Sequence, residues 1–294
     1  MSFWEALGNP DVAFLRYAFA ASLLGSVAFG VMGSYVVVRR ISYIAGAIAH
    51  CVLGGIGAAL YLQAAAGWSW LDPIYGAIAA ALLAAVLIGI VSLRAQERED
   101  TVIGALWAVG MAAGLIFLAR TPGYIDPMNY LFGNILLLGA RDLWIVGLLD
   151  VLVVGTVFVF YRRFQAVCFD EEYARLRGLW ADGLYLLLLC LIALTVVLMV
   201  RVVGIVLVIA LLTLPAAVAN LFARRLWQMM LLAIVVGAAV NAIGVGVSFE
   251  SDLPTGPTII LVAGAVYILS LIFTRRRRRR GLKTGATPES GNAS

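Results

Sequence analysis

The sequence predicts an all-α integral membrane protein that crosses the bilayer many times. Hydrophobic residues make up 63% of its 294 positions, and charged residues make up only 13%. A soluble domain carries about 25% charged residues, so most of this chain is unsuited to a water-facing surface. The apolar stretches also surround the helix instead of forming one stripe, which excludes a single large soluble core.

Apolar length predicts the individual spans, because a helix needs roughly 20 residues to cross the hydrocarbon core. The stretch 124–139 is too short and too interrupted for a span, and it predicts an outer loop with a short re-entrant or interfacial helix. The N-terminal residues 1–12 lack a basic region and include Glu5, so no cleavable signal peptide is predicted. Nine spans are expected, or eight if one of them enters and returns: 13–38, 42–62, 73–93, 101–119, 143–161, 183–200, 202–222, 227–247 and 257–274.

The basic residues predict the orientation of these spans. Of the 21 lysines and arginines, 17 lie on alternate connections, and the four others are Arg16, Arg120, Arg141 and Arg201. Cytoplasmic loops are enriched in Lys and Arg, so the N-terminal segment 1–12 is predicted outside and the C-terminus inside. The basic tail 275–294 is predicted to be cytoplasmic and disordered. Its six arginines directly follow a span, which is typical of a stop-transfer anchor near anionic lipid and not of a nucleic-acid site.

His50 is the only histidine of the chain, and it lies well inside the second predicted span. One interpretation is a transient metal ligand or proton carrier that lines a path, since neutral imidazole binds borderline metals. The other is a histidine that is hydrogen-bonded across a helix contact. Glycines 46, 54, 55 and 57 give this helix a small-residue face, so His50 is expected to point at another helix or a cavity and not at lipid.

Four other residues interrupt the apolar spans. Asp150 is interpreted either as a buried carboxylate paired with a neighbouring helix or water, or as a residue nearer the interface, and it is also a candidate for a role in the path. Asn220 and Asn241 predict interhelical hydrogen bonds. Pro215 frees a backbone carbonyl within the seventh span and predicts a kink or hinge.

Several classes of protein lack support in the sequence. No GxxxxGK[ST] motif is present, so the chain is not expected to bind ATP through a P-loop. The absence of HExxH, GxSxG and clustered intramembrane acids disfavours an intramembrane protease and a proton-coupled carrier. Cys51, Cys168 and Cys190 are scattered, which predicts buried small hydrophobic residues and no disulfide framework.

The connection 169–179 has the pattern of a short amphipathic helix. Acids occupy its first turn, arginines lie near its end, and Gly178 is a predicted stop. Phe169, Tyr173 and Leu176 can share one face. The segment is therefore predicted either to lie on the membrane surface or to dock a cytosolic subunit.

Six pieces of the chain, in order and at matching spacing, resemble the permease subunits of bacterial ABC transporters that take up zinc, manganese or iron. They are VVVRRISYIAGAIAHCVLGG (36–55), EDT (99–101), YLFGNILLL (130–138), FDEEYARLRGL (169–179), VVGIVLVIALLTLPAAVA (202–219) and SDLPTGPTIILV (251–262). The likeness spans about 13–274, which would then form the permease domain.

The resemblance implies a set of partners in the bacterial cytoplasmic (inner) membrane. A second copy of this chain would complete a homodimer, a separate cytosolic ATPase subunit would hydrolyse ATP, and an extracytoplasmic metal-binding protein would deliver the ion. The chain itself would be a transport subunit and not an enzyme, with no bound cofactor and no nucleic-acid partner. The segment that couples it to the ATPase would consist of Phe169, Asp170, Glu171, Tyr173, Ala174, Leu176 and Gly178.

The resemblance also implies a metal path. In the family, the second span commonly carries an Asp four residues before a His, and both project from one helix face. His50 matches the histidine, but Gly46 stands at the Asp position. Imidazoles without carboxylates shift the expected cargo toward zinc over manganese or iron. Gly46 and Pro215 are candidate gate or hinge residues, and Cys51 is a weak candidate for a co-ligand. The alternatives are a self-sufficient secondary metal carrier and a permease for a metal chelate.

Overall fold

The computed structural model describes Glu5 and residues 13–68, 70–94, 99–123, 128–133 and 139–284. These residues form eleven helices, and no strand occurs among them. The helices are α1 (Ala13–Arg39), α2 (Ser42–Ala65), α3 (Pro73–Arg94), α4 (Glu99–Arg120), α5 (Met128–Phe132), α6 (Ala140–Phe169), α7 (Glu171–Leu176), α8 (Ala181–Val203), α9 (Ile205–Phe222), α10 (Leu226–Ser251) and α11 (Thr255–Thr284).

Nine of the helices in the described part of the chain are long and apolar enough to cross a membrane, which confirms the predicted all-α membrane fold. Only α5 and α7 are too short, and they fall in the two segments predicted as an outer helix and a docking helix. The fifth span, α6, is longer than predicted because it continues past Arg162 and Arg163 to Phe169. No helix breaker follows those arginines until Asp170, which caps the next helix.

The last helix differs from the prediction at its end. Residues 275–284 were predicted to be part of a disordered tail, but α11 continues to Thr284. Arginine is among the better helix formers, so the arginine run extends the helix of the span instead of ending it. The rest of the predicted tail, 285–294, lies outside the described residues, as does most of the N-terminal segment 1–12.

Helix α1 is the centre of one half of the bundle. Gly25 lies against Met199 of α8, and Gly33 lies against the Leu212 carbonyl of α9. Such close approach requires residues without a β-carbon, as is common where membrane helices pack. On another face, Asn241 Nδ2 of α10 donates hydrogen bonds of 3.0 Å to the Ser22 carbonyl and of 3.0 Å to Ser26 Oγ. The predicted interhelical bond of Asn241 is therefore present. Asn220 is exposed, and no such bond to it occurs among the residues that the structure describes.

Helix α2 is packed closely between α3 and α4 through the predicted small-residue face. Gly55 lies against Gly76 of α3. A β-carbon at Gly54 would lie 2.9 Å from the Gly110 carbonyl oxygen of α4, and one at Gly57 would lie 2.7 Å from that of Gly114. Glycines on both helices thus bring the α2 and α4 backbones together, with no room for larger side chains at this contact.

Ion pairs join the helices at both ends of the bundle. At one end Arg201 Nε of α8 lies 3.6 Å from Asp142 Oδ1 at the start of α6. At the other end Arg39 pairs with Glu171, which follows the end of α6. Between these ends α6 exposes large apolar side chains, among them Trp144 and Phe158, which are 81% and 84% exposed. In a membrane protein such a face suits contact with lipid or with another apolar surface.

Candidate metal site and docking helix

His50 lies inside the helix bundle, as the glycine face predicted. It is the ninth residue of α2, about 12 Å along that helix by the rise of about 1.5 Å per residue. Its side chain is buried, with 9% exposed, and its Nδ1 has no hydrogen-bond partner among the described residues. The alternative interpretation, a histidine hydrogen-bonded across a helix contact, therefore has no partner for this nitrogen. The imidazole instead stacks on Trp107 of α4, with ring centroids 4.5 Å apart.

Gly46 lies one turn before His50 on the same face of α2. A β-carbon at Gly46 would lie 2.8 Å from Cζ3 of Trp107, so the indole fills the space that a side chain would need. Tyr43, a further turn back, packs its ring 5.5 Å from the same indole. Sequence reasoning missed Trp107, because nothing in the local pattern of α4 distinguishes it from other tryptophans of the spans.

The thiol of Cys51 contacts α4 and does not pair with His50 as a second ligand. Its thiol donates a 3.3 Å hydrogen bond to the Leu106 carbonyl of α4. Within the described residues, no three His, Cys, Asp or Glu side chains come close enough together to hold a metal ion.

Asp150 is a buried carboxylate that pairs with a helix, as one of its two interpretations predicted. Its Oδ1 accepts a 3.0 Å hydrogen bond from the backbone N–H of Ala28 in the middle of α1. Its Oδ2 has no partner in the part of the chain that is described. The contact joins α6 to α1.

Pro215 lies inside α9, which continues through it to Phe222. Two residues earlier, Thr213 Oγ1 donates a 2.8 Å hydrogen bond to the Ile209 carbonyl. The side chain of Pro215 lies near Gly237 of α10, whereas Gly46 lies against Trp107 of α4. The two candidate gate residues therefore have different neighbours and do not form one cluster.

The docking segment forms α7, which ends at the glycine stop that the sequence predicted. Asp170 is its N-cap, and its carboxylate accepts a 2.8 Å hydrogen bond from the Tyr173 backbone N–H. At the other end Gly178 has φ of +74°, and Leu179 N–H donates to the Ala174 carbonyl over 3.1 Å. This is a Schellman motif, in which glycine adopts the left-handed conformation at low cost. Phe169 differs from the prediction in belonging to the end of α6.

A series of connected ion pairs anchors the inner face of α7 to the spans. Glu171 pairs with Arg39 at the end of α1 and accepts a 2.8 Å bond from Arg175. Arg175 also contacts Asp182 of α8 at 2.8 Å. The Arg39 guanidinium lies 5.0 Å from the ring centre of Tyr185, so α1, α7 and α8 meet around this chain of charges.

The outer face of α7 continues an exposed apolar surface. Ala174 is fully buried against the spans, while the large side chains around it point outward. This surface, the docking face, consists of Phe169, Tyr173, Leu176 and Trp180. Sequence reasoning identified the first three but missed Trp180, which follows the glycine stop and was outside the predicted segment.

These features define the class as a multi-pass α-helical membrane protein with a buried polar residue inside its bundle and an anchored helix between spans. The chain belongs to the ABC 3 transport family, whose model matches residues 11–274. This membership confirms the resemblance that the ordered sequence pieces predicted.

Individual proteins resemble the chain over nearly its whole length. A probable metal transport system membrane protein of Chlamydia pneumoniae is 42% identical, with 88% of each chain covered. A manganese transport system membrane protein of Listeria monocytogenes is 31% identical, with 92% of this chain and 94% of that protein covered. The structure of PsaBC from Streptococcus pneumoniae in complex with Fab matches with a TM-score of 0.83 at 28% identity, covering 96% of this chain and 98% of that chain.

Proposed function

We propose that this chain is the membrane-spanning subunit of an ATP-driven importer for divalent metal ions in the bacterial cytoplasmic membrane. Its membership of the ABC 3 transport family and its relatives named as metal transport proteins support this function. The observation that carries it is His50, a buried imidazole inside a span whose Nδ1 has no hydrogen-bond partner in the regions that the structure describes. A polar residue in the bilayer interior is costly, and such residues are typically found on transport paths.

Metal transfer in this proposal depends on weak coordination at His50. The ion enters from outside, is held briefly by the imidazole of each of two copies, and is released inward as the ATPases cycle. A closed four-ligand site would hold the ion too tightly, whereas a site with few ligands can pass it on. Without a carboxylate at Gly46, the donors suit zinc over manganese or iron, although the relative from Listeria is named for manganese.

Three partners complete the proposed transporter. A second copy of the chain forms the other wall of the path, and an extracytoplasmic metal-binding protein delivers the ion. A cytosolic ATPase subunit binds the docking face around α7, which combines exposed aromatic and aliphatic side chains with an anchored inner face. The proposed orientation places the N-terminus outside and the C-terminus in the cytoplasm, so that α7 lies on the side of the ATPase.

The role of His50 is tested by substituting it in the assembled transporter. We expect His50→Ala to abolish metal uptake while the complex with the ATPase still assembles, because the substitution removes the ligand without disturbing α7. Cys51→Ala is the matched control, since its thiol bonds to a backbone carbonyl of α4, and it should retain uptake. Radiolabelled zinc and manganese uptake into cells is the measurement. Uptake at the wild-type rate by His50→Ala would refute the proposed role.

A further inference from the structure

One tryptophan of α4 covers two successive turns of α2. The indole of Trp107 stacks on the His50 imidazole, with centroids 4.5 Å apart and planes inclined by 23°. The same indole lies where a side chain at position 46 would project, with only 2.8 Å between Cζ3 and a β-carbon built on Gly46. Residues four apart share a helix face, so a single ring closes over both positions.

This contact limits what can reach His50 and what can coordinate beside it. The imidazole is 9% exposed, and one of its broad faces is taken by the indole. Any carboxylate placed at position 46 would collide with Trp107. The thiol of Cys51 is already bonded to the Leu106 carbonyl. Among the described side chains that pack here, His50 Nδ1 is therefore the atom that remains available to bind an ion.

We propose that Trp107 is the cover of the His50 site and a specificity-determining residue for the ion that passes it. The indole covers one face of the imidazole and contributes to its burial, and it fills the space that an oxygen ligand at position 46 would need. Imidazole without carboxylate suits zinc, whereas manganese prefers carboxylate oxygen. This inference rests on the proposed function, because it takes a divalent ion to pass His50.

The cover is tested by the chemical accessibility of His50, which is the only histidine in the chain. The metal-free complete transporter is treated with diethyl pyrocarbonate, and modification of His50 is followed by peptide mass spectrometry. We expect Trp107→Ala and Trp107→Leu to raise the modification rate severalfold, and Trp107→Phe to stay close to wild type because it keeps a ring. Trp144→Ala is the matched control, since Trp144 is 81% exposed on the outer face of α6. Wild-type rates in both Trp107→Ala and Trp107→Leu would overturn the cover.

The role of Trp107 in metal specificity is tested by substituting positions 46 and 107 singly and together. Gly46→Asp alone introduces a side chain that collides with the indole, while Gly46→Asp combined with Trp107→Ala makes room for the carboxylate. We expect the ratio of manganese to zinc uptake to rise in the double variant above the wild type and above both single variants. A double variant that keeps the wild-type ratio, or that loses uptake of both ions, contradicts the role in specificity.

The two proposals fail in different ways. If the wild-type transporter takes up no divalent ion, the proposed function is wrong, whatever the modification rates. If the wild type transports but Trp107 changes neither accessibility nor ion ratio, only the inference about Trp107 is wrong.

Discussion

Two buried polar residues, Asn241 and His50, differ in how their side chains contact the neighbouring helices. Asn241 donates two hydrogen bonds to α1, to the Ser22 carbonyl and to Ser26 Oγ. Those bonds join α10 to α1 through the amide nitrogen, while Asn241 Oδ1 has no partner among the described residues. Within the described part of the chain, His50 Nδ1 has no hydrogen-bond partner, and the imidazole stacks on the Trp107 ring. Polar side chains inside a membrane are costly and often lie on transport paths, and ion binding is the role that we propose for His50.

Because Asn241 joins two helices, removing its side chain is expected to lower the stability of the protein measurably. Interhelical hydrogen bonds in membranes contribute about 0.6 kcal/mol on average and up to about 1.7 kcal/mol. We expect Asn241→Ala to lower the free energy of unfolding in mild detergent by an amount in that range. Asn220→Ala removes the same kind of side chain from an exposed position and should leave the free energy of unfolding unchanged. Equal effects of the two substitutions would show that the bonds to α1 are not stabilising.

Helix α7 is a short element that depends on its ends and on its ion pairs. It has only six residues, too few to be stable by its own backbone hydrogen bonds. The Asp170 cap and the Gly178 turn define its limits, and Ala174 packs against the spans. Its connection to α1 passes through Arg39 and Glu171, whose side chains are 21% and 25% exposed. Motion of α7 is therefore expected to reach α1 through this pair.

The coupling role of the Arg39–Glu171 ion pair is tested by a double-mutant cycle in the complete transporter. We expect Glu171→Gln and Arg39→Gln each to raise the ATP hydrolysed per ion transported, because either change breaks the link between α7 and α1. The double variant should be no worse than the more severe single variant, since both remove the same interaction. Glu172→Gln is the matched control, as that neighbouring side chain is exposed. Additive effects of the two single changes would mean that the residues act independently.

For the whole molecule, the distribution of charge predicts the orientation. Trp70 is 68% exposed in the connection between α2 and α3, whereas Arg225 is exposed between α9 and α10. These two connections belong to opposite ends of the bundle. In a variant without the native cysteines, we expect Trp70→Cys to react with a membrane-impermeant thiol reagent in intact cells. Arg225→Cys should react only after the cells are permeabilised, and the reverse pattern would invert the topology.

The positions of the spans were predictable because they depend on local properties. Length, hydropathy and the spacing of basic residues act within one segment, and the predicted stop at Gly178 acts within one turn. The contacts of the site depend on residues far apart in the chain. Glu171 meets Arg39 across 132 positions, and Trp107 meets Gly46 only because glycines bring α2 and α4 together. No local pattern specifies those contacts, so the roles of Trp107 and Arg39 emerged only from the structure.

The central claim is that this chain forms the path of an ATP-driven importer of divalent metal ions. Its most direct test is metal flux into proteoliposomes that contain the chain with its ATPase, oriented with the metal-binding protein and metal outside and ATP inside. The account predicts zinc accumulation that requires ATP and the binding protein and is lost with His50→Ala. Zinc entry at the same rate without ATP, or with the purified chain alone, would contradict it and indicate a self-sufficient carrier.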